Sequence, residues 1–499
     1  VANRAVAMKV TRRQFVKTSI LSSVSVGLTP GITKKLPIMS EKSTSDVSNM
    51  SVHQLTRLIQ KKKISSYEVV SAFIKRIEVV NPRLNAVVLF RPEEALKEAR
   101  KADEEVSHGK SRGVLHGIPC TVKDSFDTEG IVTTGGTLGR SNFLPKKNAT
   151  VVQRLKDAGV IIMGKTNTPE FTMGFLTDNL VFGKTKNPYD LNRTPGGSSG
   201  GAAAIVAAGG SPFDIGTDTG GSIRYPAHCC GIAGIKPTTG RVPRTGHIIA
   251  YHGLSQSLTQ VGPLAKNIED INLLLNIISG VDNIDPYIYP VPFQDYNKVQ
   301  LKKLRMAFFV DNGLVRPTDD TFRTIKKNVD ILAAAGLKIN EDIPKGIEET
   351  ATFRPYLRSG DWMKRMLDRY GTTETMLEYN MPNPPTSEYA ALVEKIDNYR
   401  SNMLSFWSKY DVLICPVSPM PAPLLDIKLE VPPYFSYLTA FNTTGWPSVA
   451  IRGGTSTEGL PIGIQIVAPP WREDICLAIA KFLEDELGSW KNNMTIDRG

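Results

Sequence analysis

The sequence is poor in histidine, with six in 499 residues: His53, His108, His116, His228, His247 and His252. Its five cysteines (Cys120, Cys229, Cys230, Cys415, Cys476) form no C-x-x-C pair and no zinc spacing, which excludes a zinc module and C-x-x-C redox chemistry. They read as small buried apolar residues. Beyond the N-terminal leader no segment approaches the apolar length of a membrane span. No internal repeat is present. No zinc-finger, recognition-helix or RNA-binding signature accompanies the basic excess. That excess, 60 Lys and Arg against 49 Asp and Glu for a net charge of +11, is spread along the chain. It reads as a solvated basic surface rather than a nucleic-acid footprint.

What remains is the composition of an ordinary globular protein, 41% hydrophobic and 22% charged. The N-terminus differs. Arg12 and Arg13, then Phe15 and Lys17, precede a mildly apolar stretch ending at Pro30, the order of an export signal. Residues 1–34 are accordingly expected to be a twin-arginine-type leader, 35–49 a polar linker, and the product periplasmic; without a leader it would be cytoplasmic. Residues 50–490 read as a single domain. Ser65 with Glu68 marks a capping box. Near-continuous apolar strands (GIPCTVKD, VIIMGK, FDIGTD, YDVLICPVS, PSVAIRG, PIGIQIVAP) alternate with helical segments. The expected class is α/β: one α/β/α domain with a large mixed, mainly parallel sheet covered by helices on both faces. Between Thr352 and Tyr437 the text is irregular and rich in proline and aromatics. Loops and short helices are expected there, with Trp362, Tyr370, Tyr379, Phe435 and Tyr437 around an acyl pocket.

Two stretches carry the chemistry. PGGSSGGAAA (195–204) contains G-x-S-x-G, the nucleophile elbow of α/β-hydrolases. That reading needs a histidine well downstream, yet His228, His247 and His252 all fall within some fifty residues of Ser198, leaving half the chain without a catalytic part. TDTGGSIRYPAH (217–228) is more informative. Glycines beside a serine let neighbouring backbone N–H groups point into one concavity, which suits the oxyanion of an acyl-transfer intermediate. Ser222 is therefore the better nucleophile candidate, and Ser198 can stand between it and a base. With histidine scarce, a buried lysine of lowered proton affinity can be that base, and Lys123 ends an apolar strand where a lysine is unusual.

These residues carry a resemblance. GIPCTVKD, GGSSGG (196–201) and GTDTGGSIRYPA (216–227), with GKTNTPEF, FGKTKNPYD, GIKPTTGRV and PIGIQIVAP in the same order, resemble the amidase signature family over about residues 50–487. The resemblance implies a Ser–cis-Ser–Lys triad: Ser222 as nucleophile, Ser198 as bridging serine after a cis peptide bond, and Lys123 as base. It also implies an oxyanion hole from the backbone amides of Thr219, Gly220, Gly221 and Ser222, and supporting roles for Ser199, Asp218 and Arg224. Thr172, Met173 and Gly174 correspond to pocket lining. No metal or organic cofactor is implied. His228, Cys229 and Cys230 read as packing behind the loop. The expected function is hydrolysis of a small-molecule amide, with no nucleic-acid partner, no integral membrane span, and a homodimer as one admissible assembly. The alternative is the glutaminase subunit of a tRNA-dependent amidotransferase.

Overall fold

Two serine-capped helices stand near the start of the described residues, and the Ser65 cap is the one its spacing with Glu68 predicts. In the computed structural model, which describes residues 47–249, 257–353, 385–427, 433–488 and 494–497, Ser51 caps helix Val52–Gln60 and Ser65 caps Ser66–Leu84. Each side chain accepts the N–H three residues on, and Gln54 or Glu68 reaches back to the cap N–H. Residues 1–46, Trp362, Tyr370 and Tyr379 lie outside the described residues. Those described fall within one compact unit, Glu41–Gly499.

The strands form two groups. β1 (Val87–Phe90), β2 (Pro119–Lys123) and β3 (Ile161–Thr166) make a three-stranded sheet in the order β1-β3-β2. Here β2 runs parallel to β3, with Lys123 in register with Thr166. The main sheet has eight strands: β4 (Phe213–Asp218), β5 (Ala233–Lys236), β6 (Gln260–Ala265), β7 (Arg305–Phe308), β8 (Lys338–Glu341), β9 (Val412–Pro416), β10 (Ser448–Thr455) and β11 (Pro461–Val467). Their order is β4-β6-β5-β10-β11-β9-β7-β8. β4, β5, β6, β9 and β11 are buried throughout, which the apolar text of β4, β9 and β11 requires of strands covered on both faces.

The expected α/β class with a large mixed sheet is therefore observed. Parallel pairing is narrower than expected, confined among the described strands to β2–β3, β7–β8 and β7–β9. β7 and β8 are joined through helix Asp319–Ala334, the crossover that parallel neighbours need. β10 and β11 instead follow one another through a tight turn and pair antiparallel. Inside the region expected to be irregular, Thr386–Leu404 is a 19-residue helix. Tyr437 is core rather than pocket wall: it is fully buried in a cluster with Trp446 and Phe441, and its hydroxyl donates to the Val315 carbonyl at 2.8 Å. Among the described residues no helix is long and apolar enough to cross a membrane.

Candidate active site

Lys123 is the last residue of β2 and has no exposed surface. Its Nζ lies 2.8 Å from Ser198 Oγ, 3.0 Å from Ser199 Oγ and 3.0 Å from Thr217 Oγ1. All three contacts are neutral hydroxyls. Burial pulls the amine down from 10.5 to about 7, against the opposing pull of the Asp214 and Asp218 carboxylates.

The loop that brings Ser198 to this amine is built from glycine for a steric reason. Gly196 sits at φ +81°, and a Cβ on Gly197 would lie 2.8 Å from the backbone carbon of Phe175. The Gly197–Ser198 peptide is cis. Thr177 fastens the loop from outside: its hydroxyl donates to the Gly196 carbonyl at 2.9 Å and accepts the Gly200 N–H at 3.1 Å. Ser199 then caps the geometry between loops. Its N–H donates to the Ser222 carbonyl at 3.3 Å, joining the first serine loop to the second.

The second loop is organised by an ion pair with no exposed surface, Asp218 and Arg224, at 3.0 Å. The Asp218 carboxylate accepts the Gly221 N–H at 2.7 Å and the Ile223 N–H at 3.2 Å. Asn442 donates to it at 2.8 Å. Burial alone would raise this carboxyl, but the Arg224 guanidinium and the bonds from Arg224 and Asn442 hold it well below the usual carboxylate range. Arg224 is also bound by Gln465 Oε1, Asn442 Oδ1 and the Leu438 carbonyl. Gly221, at φ +119°, holds a backbone conformation that other residues rarely adopt, and a Cβ there would press on Leu438, 2.5 Å from its Cδ1. The loop thus turns at fixed geometry past Ser222. With the Gly221 amide given to Asp218, the Gly220 and Ser222 amides donate to no described residue.

Ser222 is 7% exposed, against 1% for Ser198 and 0% for Lys123 and Ser199. Of the four, Ser222 lies nearest to solvent. Of Thr172, Met173 and Gly174, Gly174 reaches the first serine loop: Gly197 packs against the Gly174 carbonyl and Phe175. Phe171 and Thr172 both adopt left-handed backbone, φ +50° and +58°, a conformation uncommon for such residues and often found at sites. Phe175 in turn stacks on Phe435, and Tyr225 meets Phe435 edge-on at 5.1 Å. His228 is packing, as expected, with Nδ1 accepting the Gly463 N–H at 2.8 Å. Burial pushes it down to about 4, so it is neutral. Thr217, Thr177, Asn442 and Gln465 were not expected from the sequence. Thr217 is one threonine within the strand text FDIGTD, Thr177 falls in none of the motifs, and Asn442 lies 224 residues from the Asp218 it contacts.

The match to the amidase family model runs over residues 68–477. The chain belongs to the amidase signature family. It is 35% identical over 477 residues to a glutamyl-tRNA(Gln) amidotransferase subunit of Caldanaerobacter subterraneus subsp. tengcongensis, covering 88% of this chain and 96% of that one. Among solved structures it resembles fatty acid amide hydrolase, with TM-score 0.82, 25% identity, and 90% and 87% of the two chains covered. It also resembles 6-aminohexanoate cyclic dimer hydrolase, with TM-score 0.80, 26% identity, and coverage of 90% and 99%. This amidase signature protein is an enzyme acting on amide C–N bonds. The expectation of an exported, periplasmic protein is corrected by these relatives. Curated relatives from several organisms, at 34–35% identity, are named for glutamyl-tRNA(Gln), a name that ties them to aminoacyl-tRNA and not to export.

Proposed function

We propose that the protein hydrolyses a carboxylic amide through an acyl-enzyme on Ser222, with Ser198 and Lys123 as proton relay. The observation that carries this reading is the contact between Lys123 Nζ and Ser198 Oγ at 2.8 Å inside a ring of neutral hydroxyls. A neutral amine has two N–H donors and one lone pair, and a hydroxyl can meet either. The lone pair accepts the Ser198 proton while the N–H groups hold Ser199 and Thr217. Ser198 takes the proton of Ser222 as Ser222 attacks the amide carbonyl. The amides of Gly220 and Ser222, in the Thr219–Ser222 turn, stabilise the oxyanion. Returning the proton through Ser198 to the departing nitrogen breaks the C–N bond, and water repeats the cycle on the ester. Asp218 and Arg224 hold the turn, Ser199 joins the two loops, and Thr172, Met173 and Gly174 are assigned to the acyl pocket because Gly174 lies against Gly197.

A second reading names the substrate and has the stronger support from sequence relatives. The curated relatives, matched over 96% of their length, are subunits of glutamyl-tRNA(Gln) amidotransferases. On this reading the amide is that of glutamine, the chain works beside partner subunits, and the ammonia goes to charged tRNA. Both readings share the Ser222 acyl-enzyme. Ammonia and amine release from glutamine and from a panel of apolar and aryl amides, measured on wild type and Ser222→Ala, tests them. Hydrolysis by wild type lost roughly a thousandfold or more in Ser222→Ala supports the chemistry. Unchanged hydrolysis by Ser222→Ala refutes it. Glutamine turnover that appears only with partner subunits selects the second reading.

A further inference from the structure

Asp214 lies on β4, four residues before Asp218, and has no exposed surface. Its Oδ2 accepts the Thr121 hydroxyl at 2.6 Å and the Thr166 hydroxyl at 3.0 Å. Thr121 stands two residues before Lys123 on β2, on the same face of that strand, and Thr166 is the register partner of Lys123 on β3. Two hydroxyls therefore pin a carboxylate at the root of the lysine whose tip touches Ser198. Asp214 has no ion-pair partner among the described residues, and its Oδ1 is buried with no hydrogen-bond partner there. A strand residue with only a packing role has no need of a buried carboxylate, since unpaired buried charge is costly.

We propose that Asp214 is a positioning residue for the amide hydrolysis, its pinned carboxylate strengthening Lys123 as the base that draws the proton from Ser198. This rests on the Lys123–Ser198–Ser222 reading above.

The other groups around the pair do not supply the same field. Asp218 is committed to Arg224. His247, on the loop packed against Phe126, is pushed down to about 3 by burial and by Lys123, and is neutral. Cys120, on β2, is pushed well up by burial and stays a thiol. Lys165, on β3, is lowered to about 8 by burial and gives its amine to the Phe126 carbonyl, Thr128 and Thr133. Asp124, raised to about 6 by burial, is tied to Thr134. Asp214 itself is raised to about 7 by burial, against the hydrogen bonds from Thr121 and Thr166. Its charge is therefore partly developed at neutrality and complete only above it, where it favours the protonated amine. Without it, burial would be opposed only by Asp218, whose charge is shared with Arg224, and Lys123 would be a weaker base.

The test is the rate of fluorophosphonate labelling of Ser222 against pH, on the full chain, for wild type, Asp214→Asn and Thr121→Val. Removing the carboxylate should move the acidic limb to lower pH by on the order of one unit and slow the plateau. Thr121→Val, which leaves the carboxylate but removes one of its donors, should move the limb the same way by less. A folded Asp214→Asn whose limb stays in place overturns the proposal. Should Asp214→Asn not fold, an unmoved limb in Thr121→Val overturns it instead. Wild type that shows no Ser222 adduct, or an adduct independent of Lys123, overturns the underlying reading and this proposal with it.

Discussion

Lys123 is a lysine without an ion-pair partner among the described residues, surrounded by hydroxyls and fully buried. In the unfolded chain its amine holds a proton up to its ordinary value of 10.5, but in the fold only up to about 7. The folded state is therefore penalised in full at and below pH 7, and the penalty fades as pH rises to 10.5. Lys123→Met should abolish hydrolysis yet raise the melting temperature at pH 7, by a stabilisation of about 1–4 kcal/mol. That gain should shrink when the melt is repeated at pH 10. The same direction sets the rate profile: kcat/KM of wild type should climb through about pH 7 as Lys123 loses its proton, and not fall immediately above. A profile flat from pH 5 to 9 would remove Lys123 as base. At this scale the sequence was legible where a residue type was out of place, a lysine ending an apolar strand or serines between glycines. Thr217, Asn442 and Asp214 were not legible, because threonine, asparagine and aspartate in a chain of 499 residues are unremarkable until folding sets them against a particular partner.

Among elements, the two glycine loops do different work although their texts look alike. The first presents Ser198 to the amine and is held by close packing on Phe175. The second turns past Ser222 and is held by Asp218 and Arg224. Gly197→Ala must displace the Phe175 backbone, so thermal unfolding should show a loss of about 2–4 kcal/mol, with activity falling further than stability alone explains. Arg224→Ala strands a buried carboxylate and should cost about 3–5 kcal/mol in a denaturant titration. A loss under 1 kcal/mol would mean that the ion pair does not hold the turn. Most strands could be read from apolar runs. β6 (QVGPLA) could not, because glycine and proline are depleted in strands. Nor could β8 (KINE), an edge strand facing solvent along most of its length. Helix Thr386–Leu404 was hidden by the proline-rich text just before it, although Pro385 stands immediately ahead of its first turn.

On the scale of the molecule, the site is closed by chain far from it. Asn442 reaches Asp218 across 224 residues and Gln465 reaches Arg224 across 241. β10 and β11, which follow Asn442, lie in the middle of the eight-stranded sheet. A chain ending after residue 445 should therefore yield no cooperative unfolding transition and no labelled serine, rather than a weakened enzyme. The mixed topology explains why the sheet order escaped the sequence: β4 and β6 pair although the helix Arg224–Cys230 and β5 lie between them in the chain. The family motifs, being local, survived that uncertainty intact. The measurement bearing most directly on the chemistry is mapping a fluorophosphonate adduct by mass spectrometry on the intact protein, beside Lys123→Met. The predicted result is a single adduct on Ser222, formed at least a hundredfold more slowly in Lys123→Met. An adduct on Ser198, or labelling at an unchanged rate without Lys123, would contradict it.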